Sequence, residues 1–181
     1  MVTTDDQAVV DHCAKFGDQV KVELRPTELS HTGVTLSQVV ANAVAYLESE
    51  YDLHDDIVAI LSVHSPLRSK DHIQKAIDNL LLYNTDSVVS VYEDYDVMYR
   101  HGEFGLEPLN KGMENRIRLE REALYVDNGA VKVMWRDIIA EHDISGLKVG
   151  HMVMSYWNSW QVKSTDDLWL IGKVIERSRT A

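Results

Sequence analysis

At 181 residues, 45% hydrophobic and 26% charged, the chain is large enough for one α/β domain with a sizeable core, and nothing in its composition departs from globular values. A formal net charge of -11 excludes a broad nucleic-acid-binding face, because phosphate backbones require a basic surface. No apolar run is long enough to cross a bilayer, the start MVTTDDQAVV lacks a signal peptide's basic and apolar regions, and the single cysteine, Cys13, allows no intrachain disulfide, so a soluble, cytoplasmic protein without membrane contact is expected.

There is no repeat, low-complexity stretch or Pro/Ser-rich linker, so residues 1–181 read as a single domain. Asp5 to Phe16 has helical spacing, with Ala8, Val9, His12, Cys13 and Phe16 near one face. Val20 to Leu24 alternates as a short strand does and stops at Arg25-Pro26. Thr35 to Tyr51 is a strongly amphipathic helix. Ile57 to Val63 is an unbroken apolar run, the pattern of a parallel strand covered on both faces. Lys70 to Leu82 predicts the next helix and Ser87 to Tyr92 another buried strand.

Residues 93–122 are charged, irregular and rich in Gly and Tyr, which predicts a long excursion from the core. Ala130 to Trp135 and His151 to Met154 resume the strands. Thr165 to Arg177 closes the chain as a helix, with Ser164 or Thr165 as N-cap and Asp166 and Asp167 favourable in its first turn. Alternating strands and helices predict a three-layer α/β fold with a mostly parallel sheet, whose ligands lie beyond the carboxyl ends of the strands. Those ends are Arg25 to Ser30, Ser62 to Arg68 and the loop after Tyr92.

Six fragments at such positions stand in a telling order: VTTDD (Val2 to Asp6), RPTEL (Arg25 to Leu29), SPLR (Ser65 to Arg68), DSVVSV (Asp86 to Val91), DNGAV (Asp127 to Val131) and STDDL (Ser164 to Leu168). Together they resemble the acylneuraminate cytidylyltransferases, which activate a sugar acid with CTP to give a CMP-sugar and pyrophosphate. The resemblance spans essentially the whole chain. It implies a Rossmann-like fold of the nucleotide-diphospho-sugar transferase type and a homodimer built through the excursion at 93–122. It also implies that Arg25 contacts a nucleotide and Asn128 a sugar, with Ser65 and Arg68 serving either substrate or fold. The plainer reading of Arg25 is a surface arginine at a strand end, and that of Asn128-Gly129 is a turn.

The chain departs from that family in two places. The family opens with a buried strand and a Gly-Ser-Lys loop that holds the triphosphate, whereas here Met1 stands almost at the Thr-Asp-Asp segment. The expectation is therefore a sheet with its first strand and phosphate loop missing, and a gap between the strand ending in Thr4 and that of Ile57 to Val63. A longer reading frame, a partner or swapped segment, or re-pairing of the remaining strands would resolve it. The family's magnesium-binding Asp-x-Asp pair falls on Gln161 and Lys163, and lysine repels a divalent cation. Smaller changes put His64, Val126 and Lys132 at the family's Gln, Arg and Tyr positions.

No cofactor is expected, with Mg²⁺ and CTP entering only if activity is retained. The expected function is that of a cytidylyltransferase-like protein, impaired as this chain, whose ligand is a sugar acid or cytidine nucleotide. The alternative is a non-catalytic binding or oligomerisation module derived from that fold. Three other groups have bland readings. His54-Asp55-Asp56 and the group Glu93, Asp94 and Asp96 read as solvated acidic loops before metal sites. Tyr156, Trp157, Trp160 and Trp169 read as core or subunit interface before a ligand platform.

Overall fold

The computed structural model describes residues 1–140 and 143–180. Strand β1 (Val2–Thr4) pairs in parallel with β2 (Val22–Leu24). Between them runs helix α1 (Gln7–Cys13), started by Asp6, whose Oδ1 accepts from the Ala8 N–H at 2.8 Å. The helix expected to reach Phe16 ends at Cys13. From Ala14 to Gln19 the backbone tightens into a 3-10 stretch interrupted by Gly17 at φ +54°, and Phe16 is left half exposed.

Helix α2 (Leu36–Tyr51) begins in a capping box: Gln38 N–H donates to Thr35 Oγ1 and Thr35 N–H to Gln38 Oε1. It ends at Asp52 in the left-handed conformation. Then follow β3 (Ile57–Leu61), α3 (Lys70–Tyr83) and β4 (Ser87–Asp94). After the hairpin β5 (Tyr99–Gly102) and β6 (Gly105–Pro108) come β7 (Leu124–Trp135), α4 (Arg136–Ala140), β8 (Val149–Val153) and α5 (Thr165–Thr180).

The main sheet has the order β3-β7-β4-β8. Strand β7 is antiparallel to both β3 and β4, while β4 and β8 are parallel, so three of the four strands share one direction. Helix α3 covers one face, with Ala76 and Leu80 packed against Val88, Val131, Val133 and Met152. On the opposite face Val40 and Val44 of α2 and Ile139 of α4 close over Met134. This is the expected three-layer, mostly parallel α/β fold. Among the described residues no helix is long and apolar enough to cross a membrane.

Several expectations need correction. Strand β3 is not fully covered on both faces: Val58 and Ile60 pack on the α2 side, but on the other face only Ile57 reaches the core, Ala59 and Leu61 are exposed and Val63, beyond the strand's end, is 82% exposed. The excursion at 93–122 holds the β5–β6 hairpin and is tied down by Arg118–Asp96 at 2.5 Å and Arg121 Nη1 to the Tyr95 carbonyl at 3.2 Å. Strand β7 begins at Leu124, ahead of the expected Ala130, because its first residues pair with Val91 to Asp94. Finally, the strands form separate sheets, and β1–β2 shares no ladder with β3–β7–β4–β8.

Candidate functional site

Strand β7 does not run smoothly past β4. Val89 pairs with Lys132 but Val91 pairs with Asp127, so Asn128 to Val131 bulge opposite the one residue Ser90. Gly129 makes this possible at φ +60°. Asn128-Gly129 is thus a bulge inside a long strand, where a turn was the plainer sequence reading.

A bulge orphans backbone groups, and here buried side chains satisfy them. The Ser90 hydroxyl accepts from the Val131 N–H at 2.8 Å and donates to Asn128 Oδ1 at 2.5 Å. The same Oδ1 accepts from the Ala130 N–H at 3.1 Å. Asn128 Nδ2 donates to Ser159 Oγ at 2.7 Å and lies 3.4 Å from the Met154 sulfur. The Asn128 carbonyl accepts from Ser65 Oγ and from Gln161 Nε2. At 2% exposed, the Asn128 side chain is an anchor beneath the surface.

Above this floor lies a cleft at the carboxyl ends of β4 and β8. Tyr92, Tyr156 and Trp160 supply aromatic walls, while Asp127, Lys163 and Asp167 bring charge. Tyr92 and Tyr156 meet edge to face at 5.6 Å, and burial, with Asp94 adding, pushes the Tyr92 phenol upward, so it stays protonated at neutral pH. Both carboxylates are engaged. Asp127 Oδ1 accepts from the Gly129 N–H at 2.7 Å. Asp167 accepts from the Ser164 hydroxyl at 2.8 Å and the Lys163 N–H at 3.0 Å, and these bonds, the Ser164 one foremost, hold it below the usual carboxylate range. Ser164, as anticipated, is the cap: the Asp167 N–H donates to its hydroxyl.

The structure brings Ser65, Arg68 and Asn128 together and leaves Arg25 elsewhere. Arg68 Nη1 donates to the carbonyls of Ser62 and Ser65, closing the turn between β3 and α3, and burial pulls its guanidinium pKa down. Arg25 belongs to the β1–β2 unit, where it pairs with Asp5 at 3.4 Å and donates to Ser30 at 3.3 Å. Sequence reasoning missed Ser90, Ser159 and Tyr92. The one signal for Ser90 is a small polar residue inside the apolar run VVSVY.

The remaining candidates are also placed. Glu93 accepts from Tyr95, Asp94 from the Asp96 N–H, and Asp96 pairs with Arg118. His54 meets Asp52 at 3.1 Å. Among the described residues no three His, Cys, Asp or Glu side chains converge as a metal site would need. Tyr156, Trp157 and Trp169 are not core residues, each being more than 60% exposed.

Asn128→Ala is expected to lower stability by about 2 kcal/mol or more, because it strands Ser90, Ser159 and Ala130 groups in a dry site. Lys163→Ala, on the exposed wall, should stay within about 0.5 kcal/mol of the parent in urea unfolding. His72 offers a second check. Its Nδ1 accepts from the Ser69 N–H at 2.9 Å in the cap of α3, and burial first, then Lys75, lowers its pKa from 6.5. The folded state therefore favours the neutral ring. Its contribution is complete above pH 6.5 and is lost as pH falls through the lowered folded value. His72→Gln keeps an acceptor and should remove this part of the acid sensitivity, seen as a flatter unfolding-midpoint profile between the two pKa values.

The sequence matches no protein-family model and no curated protein. Solved structures share its architecture. A 4-diphosphocytidyl-2C-methyl-D-erythritol synthase matches with a TM-score of 0.65 at 10% identity, over 96% of this chain and 80% of that one. The same synthase from Anaerococcus prevotii gives 0.63 at 10% identity, over 95% and 77%. The 2-C-methyl-D-erythritol 4-phosphate cytidylyltransferase from Thermus thermophilus gives 0.51 at 13% identity, over 97% and 98%. At such identities the likeness is one of fold alone: this chain shares the α/β architecture of these synthases.

Proposed function

We propose that this chain is a cytidylyltransferase-like protein that holds a cytidine nucleotide or a sugar acid in the cleft and does not by itself catalyse nucleotidyl transfer. The cleft's position supports ligand binding: it lies beyond strand carboxyl ends and is walled by aromatic rings suited to stacking on a base or sugar. The cytidylyl chemistry of the solved neighbours makes cytidine the natural nucleotide, and the six ordered motifs favour a sugar acid as its companion.

The observation that carries the second half is the pair Gln161 and Lys163. Both line the cleft, yet neither fits Mg²⁺, which needs hard anionic oxygen ligands. Gln161 is neutral, with its Nε2 donating to the Asn128 carbonyl, while Lys163 places a cation where the metal's charge would fall. Calorimetric titration of CTP is expected to show weak binding that added Mg²⁺ does not tighten, with no pyrophosphate released in the presence of sugar acids. The double variant Gln161→Asp/Lys163→Asp should gain Mg²⁺-dependent CTP affinity on the order of tenfold, about 1.4 kcal/mol. Mg²⁺-dependent pyrophosphate release by the unaltered chain would sink the reading.

A dimer formed through residues 93–122 has support of its own. The turn of the β5–β6 hairpin presents Phe104 at 95% exposure, and Leu119, later in the same segment, stands at 94%. Apolar side chains so exposed mark an interaction surface when clustered. Sedimentation should give a dimer, and Phe104→Ser/Leu119→Ser a monomer with unchanged circular dichroism; a monomeric parent at high concentration refutes it.

A further inference from the structure

The cleft is small for a whole ligand. Its volume is about 220 Å³, against roughly 300–1,000 Å³ for sites that enclose a drug-sized molecule. That space takes one sugar ring with its substituents, and anything longer must continue outside.

The polar groups of the cleft suit such a ring. Asp127 and Asp167 are each fixed through a single oxygen: Asp127 Oδ1 accepts from the Gly129 N–H, and Asp167 Oδ2 from the Lys163 N–H and the Ser164 hydroxyl. Their other oxygens, Asp127 Oδ2 and Asp167 Oδ1, have no hydrogen-bond partner among the described residues. The Lys163 ammonium likewise makes no hydrogen bond or ion pair among them. Two oriented acceptors and one cation match a polyol that carries a carboxylate. The hydroxyls donate to the aspartates, and the ligand's own carboxylate meets the lysine.

Outside the cleft stands an indole that a single ring would not reach. Trp160 lines the cleft; Trp157 does not, yet its ring centroid lies 5.3 Å from that of Trp160 and it is 61% exposed. The turn that carries both is pinned. The Ser159 N–H and hydroxyl donate to the Ser155 carbonyl at 3.1 and 2.9 Å, and the Asn158 N–H donates to Ser155 Oγ at 3.2 Å. An indole on a pinned turn has little freedom to lose on meeting a ligand, and the apolar face of a sugar stacks on it. A free monomer would fill the cleft and leave Trp157 in water.

We propose that the ligand of this cleft is the end of an oligosaccharide: a terminal sugar acid enters, with its hydroxyls on Asp127 and Asp167 and its carboxylate on Lys163, and the next sugar stacks on Trp157. The assignment rests on the cleft being a sugar-acid site, and it makes a chain, where a free monomer was considered above, the natural ligand.

Calorimetric titration of the 181-residue chain compares two pairs of probes: glucuronic acid with glucuronyl-glucose, and N-acetylneuraminic acid with sialyllactose. In at least one pair the oligosaccharide is expected to bind about tenfold tighter than its monomer, the effect of one added stacking contact. Trp157→Ala should cancel that gain and Trp157→Phe keep most of it, while Lys163→Ala should weaken monomer and oligosaccharide alike. The proposal is overturned if neither oligosaccharide gains over its monomer, or if Trp157→Ala weakens both members of a pair by the same factor. Binding of a monomer with no gain from the longer chain removes the oligosaccharide alone. Silence of both pairs and of CTP removes the cleft as a ligand site as well.

Discussion

The buried carboxamide of Asn128 and its own carbonyl join four parts of the chain: β4 through Ser90, β7 through Ala130, the turn after β3 through Ser65, and the segment after β8 through Ser159 and Gln161. The site is too dry for water to replace a lost partner, so each bond is held by the cost of leaving its groups unpaired. That network fixes the bulge in β7. The bulge in turn puts Asp127 on the cleft wall and carries the loop bearing Tyr156 and Trp160 over it. The cleft floor is rigid for this reason, and its hydrogen-bonding capacity is consumed from within.

Backbone satisfaction governs the other half of the molecule. Between β4 and β7 a side chain, Ser90, supplies the bond the ladder omits. The β1–β2 pair shares no ladder with the four-stranded sheet, and α2 touches both, through Asn42 on Glu23 and through Val40 and Val44. Strand β3, at the edge of the larger sheet, leaves Ala59 and Leu61 exposed on the face away from α2.

Charge is distributed to match. In an acidic chain the arginines serve mostly local structure: Arg25 closes on Asp5, Arg68 on two carbonyls, Arg118 on Asp96, and Arg136 on Glu48 at 2.6 Å. Lys163 instead lines the cleft. It shares that wall with the carboxylates of Asp127 and Asp167, both already engaged in hydrogen bonds.

The sequence by itself determined what local rules reach. The periodicity of Thr35 to Tyr51, the cap at Ser164, the strand at Ser87 and the alternation that makes the fold α/β are nearest-neighbour properties, and all are found. It also marked Asn128, Ser65 and Gln161 as residues to examine, though not how they act. Tertiary structure decided that, because Ser65 and Gln161 lie 63 and 33 residues from Asn128 along the chain and meet it only through sheet register. Pairing of distant strands also set the insertion of β7 between β3 and β4, the bulge at Gly129 and the bare face of β3. An apolar run shows that a strand can be buried; which faces are covered depends on what packs beside it.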